Sequence, residues 1–557
     1  MKRSSGPRRL STLRVRLAAA GFLAVFLAIG GKLILLGALP DPQNKARFDA
    51  EAALATRRPD IYDRDGRLLA TDIRAASIFA EPNRMIDPDE AAEEIAAVLP
   101  DINAKALHES FSNKKSGFVW VRREVTPKQQ REVHRLGIPG IDFLNEQRRI
   151  YPNGDLVSHA IGSVNIDNQG IAGFEKYLDR VHDVSTDGKT RPKPVEMSLD
   201  LVVQQAVRDE LAKGLAKYKA KAASGLVMNV NTGEVIAFVS LPDYDPNVPA
   251  DALKPNNINR LSVGVYEMGS TFKALTLAMA LDSGKVKLTD RFDARQPLSY
   301  GGFKIHDFHA THRILNVPEV FVHSSNIGTA RIAMEVGVDG HKAFLKKMGL
   351  LDRLQTELPE SASPIVPKNW GTLNTITISF GHGLSVTPLQ TLAATDALVN
   401  GGYLMKPTFI KRTHEEAMKE AKRVIKPETV AKMRYLMRLN AQIGSARQAD
   451  IPGYRVGGKT GTAEKVINGR YSNDKVMCAF TAIFPSDKPE YSLLVMIDEP
   501  QGIPETHGFH TSGWNAAPMT GKIVARIAPL LGVVPDFNPP PNDPPGVAAA
   551  SLVVNGE

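Results

Sequence analysis

Gly269-Ser270-Thr271-Phe272-Lys273 opens an apolar run that continues as Ala-Leu-Thr-Leu-Ala-Met-Ala-Leu to residue 281. The run predicts a buried helix that ends before Gly284, a residue type common just after a helix. Ser270 would begin this helix, and Lys273 would face the same side one turn later. A serine hydroxyl becomes a nucleophile when a nearby base takes its proton, and a lysine with a lowered pKa is such a base. S-x-x-K alone is equally compatible with an ordinary N-cap serine.

A second polar motif lies further along the chain. Ser324-Ser325-Asn326 precedes apolar residues at helical spacing. Ser324 would pass a proton between a reacting group and the lysines, and Asn326 would hydrogen-bond a substrate amide. An N-cap serine explains the same residues without any chemistry.

The third motif, Val456-Gly-Gly-Lys-Thr-Gly-Thr-Ala463, falls on a predicted strand. Its glycines allow another backbone to approach, Lys459 offers a positive charge to a substrate carboxylate, and a strand edge can hold a peptide by main-chain hydrogen bonds. A phosphate-binding loop is the alternative for Gly-Gly-Lys-Thr-Gly, but no apolar strand precedes the motif and no helix is predicted to begin at Lys459-Thr460. In the order S-x-x-K, S-x-N, K-T-G, the motifs describe one acyl-transfer site, and the same set occurs in penicillin-binding proteins and class A β-lactamases.

Composition sets limits on partners and compartment. The 557 residues carry a formal net charge of +9, which suits a surface facing anionic lipid or cell-wall polymer. Nucleic acid is a poor candidate partner, because no basic stretch alternates with stacking aromatics. Cys478 is the single cysteine, so no intramolecular disulfide can form, and its apolar neighbours predict a small buried side chain.

The N-terminus predicts a membrane anchor. Leu17–Leu39 is apolar except for Lys32, and about 20 such residues span a bilayer as a helix. The first sixteen residues are basic and contain no acid, which keeps them in the cytoplasm and places the rest of the chain outside. A cleaved signal peptide is the alternative, but the apolar segment is long and lacks an A-x-A site.

Longer stretches resemble the class B penicillin-binding proteins. Tyr266–Lys273 is similar to Y-E-P-G-S-T-F-K, with Met268 in place of the usual proline. Arg149–Gly154, His159–Gly162 and Gly170–Glu175 resemble the family's R-x-Y-P-x-G, H-x-x-G and G-x-x-G-x-E patterns.

Phe380–Gln390 is similar to F-G-Y-G-x-x-V-T-P-L-Q of the division transpeptidases, the FtsI type, also called penicillin-binding protein 3. Elongation enzymes usually show G-Q-G at that position, and His382 matches neither tyrosine nor glutamine.

The resemblance implies roles for individual residues. Ser270 would attack a stem peptide that ends in D-Ala-D-Ala, with Lys273 as the base. The residues expected to bind the substrate carboxylate or form the oxyanion hole are Lys459, Thr460, Gly461, Thr462 and the backbone amide of Ser270. β-Lactams would acylate the same serine. No metal or organic cofactor is implied.

The resemblance also implies partners and place. Residues 59–179 carry no glycan-polymerising signature, so a polytopic polymerase of the FtsW type, together with other divisome proteins, would supply glycan strands. The donor would be a lipid-linked precursor or a nascent glycan. The protein would be a single-pass protein of the bacterial inner membrane, with its catalytic domain outside and its place at the division septum.

Asp200 is a predicted helix cap. Predicted strands lie at both ends of the catalytic segment (two in 225–239, then 454–464, 476–484 and 491–498) with a mainly helical middle (264–440), which indicates an α+β fold class. The resemblance implies an antiparallel sheet flanked by helices and an all-helical part in the catalytic domain. The predicted segments are a cytoplasmic tail (1–16), a transmembrane helix (17–39), a mixed α/β pedestal (40–180), a linker (181–196), a transpeptidase domain (197–534) and a disordered Pro-rich tail (535–557).

Five other functions share parts of this pattern. An elongation transpeptidase would use the same site, and a β-lactamase or D,D-carboxypeptidase would pass the acyl group to water. A β-lactam sensor would need a larger cytoplasmic part than sixteen residues. A scaffold with an inactive site would not need the complete motif set.

Overall fold

The computed structural model describes residues 8–38, 57–181, 192–467 and 469–538. The chain divides into two compact units. The first unit contains the N-terminal helix and Asp72–Arg148, and the second contains Pro59–Thr71 with the described residues of Arg149–Asp183 and Pro192–Glu557. Residues 182–191 of the predicted linker and 539–557 of the predicted tail lie outside the described residues.

The helices in chain order are α1 (Arg8–Ala38), α2 (Pro88–Val98), α3 (Ala104–Ser112), α4 (Pro127–Leu136), α5 (Ser158–Ile161), α6 (Gly173–Val181), α7 (Leu201–Lys217), α8 (Phe272–Asp282), α9 (Val317–Val322), α10 (Asn326–Val336), α11 (Val338–Lys347), α12 (Thr372–Ser379), α13 (Pro388–Ala397), α14 (His414–Glu420), α15 (Pro427–Ile443) and α16 (Ala516–Leu530).

The strands are β1 (Ile61–Tyr62), β2 (Leu68–Ala80), β3 (Val119–Val125), β4 (Ile141–Ile150), β5 (Ser163–Val164), β6 (Gly170–Ala172), β7 (Val195–Glu196), β8 (Ala222–Asn229), β9 (Val235–Leu241), β10 (Arg291–Asp293), β11 (Leu298–Tyr300), β12 (Phe303–Ile305), β13 (Ile314–Asn316), β14 (Tyr403–Leu404), β15 (Lys422–Arg423), β16 (Gly457–Ile467), β17 (Arg470–Phe484) and β18 (Tyr491–Asp498).

Helix α1 has the length and composition of a membrane span. Thr12–Ile34, 23 residues with a mean hydropathy of 2.1, is long and apolar enough to cross a bilayer. Its large apolar side chains between Leu13 and Ile34, such as Phe22 and Leu27, are exposed. This helix fits the predicted single-pass membrane anchor.

The first unit builds its own small core. The end of β2 pairs antiparallel with β3, from Ala76 opposite Val125 to Ala80 opposite Val119. The side chains of Ile78, Ile95 and Phe111 belong to one buried cluster that joins this strand to α2 and α3. The unit is therefore mixed α/β, as predicted for the pedestal.

A five-stranded antiparallel sheet organises the second unit, in the order β16-β17-β18-β8-β9. Its strands come from both ends of the catalytic segment, as the sequence predicts. Leu226 belongs to one hydrophobic cluster and Val227 to another, because successive residues of a strand face opposite sides. Helices α7 and α16 cover one face, and α8 covers the other.

Local predictions in this unit are confirmed. Asp200 caps α7 by accepting hydrogen bonds from the amides of Val202 and Val203. Cys478 is buried, and burial raises the pKa of its thiol to about 12. The middle of the chain is less uniformly helical than expected, since β10–β13 form two short two-stranded ribbons there.

Two upstream motifs of the family pattern meet in the second unit. Arg149 and Glu175 form an ion pair at 2.7 Å, and neither side chain is exposed. The Tyr151 amide donates to Asn247 Oδ1 at 3.0 Å, which ties the same segment to the loop after β9. These motifs stabilise the unit that carries the three active-site signatures.

Candidate active site

Ser270 lies in a tight turn, Gly269–Thr271, that leads directly into α8. Two glycines from other elements permit close contact with this turn. A Cβ on Gly461 would lie 2.6 Å from the Met268 carbonyl oxygen, and a Cβ on Gly381 would lie 2.0 Å from the Gly269 carbonyl oxygen. Strand β16 and the loop after α12 therefore enclose the turn, and Ser270 itself stays half-buried.

Lys273 is completely buried one turn after Ser270. Its Nζ donates to the Ser324 carbonyl oxygen and lies 3.1 Å from Ser324 Oγ. Burial, helped by the nearby Lys459 ammonium, lowers the pKa of Lys273 well below its ordinary value, while Asp307 opposes this by raising it. A lowered pKa favours the neutral amine that a lysine base requires.

Ser324 joins the two lysines of the site. Its Oγ lies 3.1 Å from Lys273 Nζ and 3.0 Å from Lys459 Nζ. Its backbone is left-handed, with φ of +53°, a conformation that few non-glycine residues adopt. The N-cap of α10 is Ser325, whose Oγ accepts from the Gly328 amide, so the Ser324 hydroxyl is not used for capping.

Lys459 lies on β16 and is also completely buried. Burial lowers its pKa to about 7, so its charge depends on pH near neutrality. Its Nζ stands 5.7 Å from the centre of the Phe321 ring, a cation–π distance. The motif lies on a strand, as predicted. No helix begins at Lys459-Thr460, as a phosphate-binding loop would require.

Strand β16 is the edge of the sheet. The Gly458 carbonyl accepts from Asn440 and the Thr460 carbonyl from Lys459 Nζ, so alternate residues turn their backbone groups away from β17. Thr462 follows in the same register, and its amide points to the free edge beside the Ser270 turn. This edge can hold an extended peptide.

The hydroxyls near that edge are held in place. Thr460 Oγ1 lies 2.6 Å from Ser445 Oγ, and Thr462 Oγ1 accepts from the Ser512 amide at 3.1 Å. Asn326 Nδ2 donates to the His306 carbonyl at 2.9 Å. The structure thus brings Lys273, Ser324 and Lys459 into direct contact and places the other predicted residues around them.

Several polar residues near the site lie outside the three active-site signatures. Glu267 accepts from the Gly383 amide at 2.7 Å and from the Tyr471 hydroxyl at 3.1 Å. His382 packs edge-on against Tyr471, and burial lowers its pKa. Glu267 belongs to the Tyr266–Lys273 stretch and His382 to the Phe380–Gln390 stretch, and both stretches resemble family patterns. Asp307 has no such signal.

One group of carboxylates has metal-like spacing. Oxygens of Asp63, Asp65 and Asp200 lie within 4.8 Å of one another in the second unit. Arg67 pairs with Asp63 and Asp65, and Asp200 is engaged as the cap of α7. These contacts give the acids a structural role.

The family comparisons agree with this geometry. The model of the penicillin-binding protein transpeptidase domain matches residues 223–524, more than half of the chain, and that of the penicillin-binding protein dimerisation domain matches residues 53–184. The chain belongs to the penicillin-binding protein transpeptidase family. The matched segment contains all three active-site signatures.

Named relatives cover most of the chain. A probable peptidoglycan D,D-transpeptidase FtsI from Caulobacter vibrioides is 40% identical over 86% of this chain and 82% of its own length. The peptidoglycan D,D-transpeptidase FtsI of Escherichia coli is 30% identical over 87% of this chain and 85% of its own length.

Solved structures share the fold. A peptidoglycan synthetase from Bifidobacterium adolescentis aligns with a TM-score of 0.68 at 22% identity, over 88% of this chain and 98% of that chain. Penicillin-binding protein 2X from Streptococcus thermophilus aligns with a TM-score of 0.66 at 22% identity, over 85% of this chain and 80% of that chain. The predicted α+β fold class is confirmed.

Proposed function

We propose that this protein is a membrane-anchored peptidoglycan D,D-transpeptidase that cross-links stem peptides through an acyl-enzyme on Ser270. The observation that carries the proposal is the hydrogen-bonded set Lys273–Ser324–Lys459, in which both lysines are buried beside the Ser270 turn. Dehydrated lysines with lowered pKa values are suited to moving protons.

Acylation begins when Lys273 Nζ takes the Ser270 hydroxyl proton and Oγ attacks the carbonyl carbon of the penultimate D-Ala. The amides of Ser270 and Thr462 hold the resulting oxyanion, aided by the N-terminus of α8. When the intermediate collapses, the C–N bond breaks and the terminal D-Ala leaves as an amine. Its proton returns from Lys273 through Ser324, which touches both lysines.

The acyl group then passes to the amine of a second stem peptide, with the proton steps reversed. Lys459, Thr460 and Thr462 bind the terminal carboxylate of the donor, and the edge of β16 aligns the donor backbone. Asn326 hydrogen-bonds a substrate amide through the side-chain oxygen, because its Nδ2 already donates to His306.

Intact-mass analysis of the full-length protein in detergent, with and without benzylpenicillin, tests acylation. We expect one added mass of the intact antibiotic, and none in Ser270→Ala. Ser283→Ala, a matched serine at the far end of α8, should label like the wild type, since its hydroxyl bonds only the Ala280 carbonyl and the Lys285 amide. Absence of an adduct, or an adduct that survives Ser270→Ala, would refute the nucleophile.

A second assay separates transfer from hydrolysis. A stem-peptide donor is supplied with and without an amine acceptor, and the products are resolved by chromatography. A transpeptidase gives a cross-linked product, whereas a carboxypeptidase or β-lactamase gives hydrolysed product only, and a sensor or inactive scaffold gives no turnover.

We further propose that α1 anchors the protein with its basic N-terminus in the cytoplasm and that it acts at the division septum beside a glycan polymerase of the FtsW type. The FtsI-like relatives and the Phe380–Gln390 stretch support this proposal. Depletion should yield filaments with unfinished septa, and an N-terminal fluorescent fusion should collect at mid-cell. Rounded cells and lateral-wall fluorescence would favour the elongation alternative.

A further inference from the structure

Asp307, in the loop after β12, contacts the start of α10 at two points. Its Oδ2 accepts a hydrogen bond from the Ser325 hydroxyl at 2.7 Å, and its Oδ1 accepts from the Ile327 amide at 2.9 Å. The preceding residue, His306, accepts from Asn326 Nδ2 through its carbonyl. Two consecutive residues of one loop therefore bind the cap of α10, Ser325, and the first two residues of the helix, Asn326 and Ile327.

The hydrogen bonds of Asp307 also constrain Ser324, the residue that precedes Ser325. Ser324 has a left-handed backbone that costs free energy in a non-glycine residue, so the surrounding contacts must stabilise it. In this conformation its carbonyl and its hydroxyl both contact Lys273. Asp307 holds the next residue, Ser325, by its hydroxyl. Free rotation of the turn would therefore break the Asp307 contacts and separate Ser324 from Lys273.

The same carboxylate contributes charge to the site. The charged groups that act on Lys273 are Lys459 from β16, which lowers its pKa, and Asp307, which raises it. His382, from the loop after α12, feels the Lys273 charge in turn. Asp307 is half-buried, so its field is only partly screened by water.

We propose that Asp307 is a positioning residue for acylation, which clamps the Ser324–Asn326 turn onto Lys273 and supplies the negative charge that balances the two buried lysines. The inference rests on the proposed acylation of Ser270. Asp307 acts through Ser325 and Lys273 and does not itself touch the substrate.

The test uses the full-length protein in detergent and two variants of this residue. Asp307→Asn keeps the size of the side chain and can keep both contacts, because the Ser325 hydroxyl can accept from an amide as well as donate. It removes only the charge. Asp307→Ala removes the charge and both hydrogen bonds. Asp293→Asn is the control. Asp293, at the end of strand β10, pairs with Arg295 and makes no hydrogen bond or ion pair with the motif residues.

The readout is the second-order rate of acylation by a fluorescent penicillin between about pH 5 and about pH 10, a range that covers both limbs of an acid–base profile. The acidic limb reports the pKa of the base. Because Asp307 raises the pKa of Lys273, its neutralisation should move the acidic limb of Asp307→Asn to lower pH. Asp307→Ala should show the same shift and a plateau lower by roughly 10- to 100-fold, from loss of the clamp. Asp293→Asn should superimpose on the wild type.

An acidic limb of Asp307→Asn that coincides with the wild type, or moves to higher pH, overturns the inference, even if the rate falls. A plateau of Asp307→Ala equal to that of Asp307→Asn overturns the clamp. If Asp307→Ala does not fold, Asp307→Asn still decides the charge. Ser325→Ala removes both the bond to Asp307 and the N-cap bond from the Gly328 amide, and a plateau equal to that of the wild type in this variant overturns the clamp. Failure of the wild type to acylate would instead refute the proposed function.

Discussion

Gly381→Ala should misplace the nucleophile without touching any reacting group. Gly381 has φ of +90°, and its carbonyl accepts from the Gly269 amide at 3.2 Å. An added Cβ would lie 2.0 Å from the Gly269 carbonyl oxygen, whereas real Cβ contacts essentially never fall under 3.0 Å. The turn and the loop must therefore separate by about 1 Å.

The size of the effect follows from this displacement. Ser270 is the next residue after Gly269, so the shift reaches the attacking oxygen, and a misplacement of about 1 Å can cost about 10²-fold in rate. Gly284→Ala is a matched control, since Gly284 has φ of +75° but open space where its Cβ would stand. Both variants bear a left-handed alanine, at roughly 1–2 kcal/mol, and only Gly381→Ala carries the clash.

Stopped-flow acylation with a fluorescent penicillin measures the outcome. We expect Gly381→Ala to react about 100-fold more slowly than Gly284→Ala, with Gly284→Ala within a few-fold of the wild type. Thermal melts of both variants report the shared strain. Equal acylation rates in Gly381→Ala and Gly284→Ala would show that the loop moves and the turn does not. That result would refute the view that the loop around Gly381 positions Ser270.

Three further outcomes follow from the site and its support. Lys273→Ala should slow acylation by roughly 10²–10⁴, as loss of a base does, and a rate within a few-fold of the wild type in stopped-flow assays would contradict that role. Burial lowers the pKa of Lys459 to about 7, and a deprotonated lysine does not attract a carboxylate by charge. The affinity for penicillin before acylation should therefore weaken as pH rises above about 7. An affinity that stays constant up to about pH 9 would contradict the role of Lys459 as the carboxylate anchor. Glu175→Ala leaves the Arg149 charge buried and should lower the free energy of unfolding by roughly 3–5 kcal/mol in denaturant titrations, whereas exposed Glu335→Ala should not; equal stability of the two would contradict the role of the pair.

Much of the catalytic unit could be predicted because its signals are local. The cap at Asp200, the hairpin of β8 and β9 and the apolar run after Ser270 each depend on residues within one or two turns of each other. Strand limits were less accurate, since β16 continues to Ile467 and β17 begins at Arg470, where sheet pairing extends polar sequence into a hairpin.

The contacts that tune the site were not predictable from spacing. Asp307 precedes Ser325 by 18 residues, and Ser445 precedes Thr460 by 15, so only the tertiary fold brings them together. The left-handed backbone of Ser324 was also hidden, because sequence patterns suggest that conformation for glycine or asparagine. The sequence also did not predict the complete burial of Lys459, because lysine side chains are usually exposed.

The two buried lysines on either side of the Ser324 hydroxyl are electrostatically coupled. Two ammonium groups that both contact Ser324 in a dehydrated site repel each other, and the charge of Lys459 lowers the pKa of Lys273. Removal of Lys459 should therefore raise the Lys273 pKa and move the acidic limb of acylation to higher pH, the direction opposite to that of Asp307→Asn. Lys459→Ala would then regain part of its acylation rate at alkaline pH, whereas a substitution that only disrupted the strand would lose rate equally at every pH. An unshifted limb in the pH profile of Lys459→Ala would show that the two lysines titrate independently, and the lowered pKa of Lys273 would then be due to burial and not to Lys459.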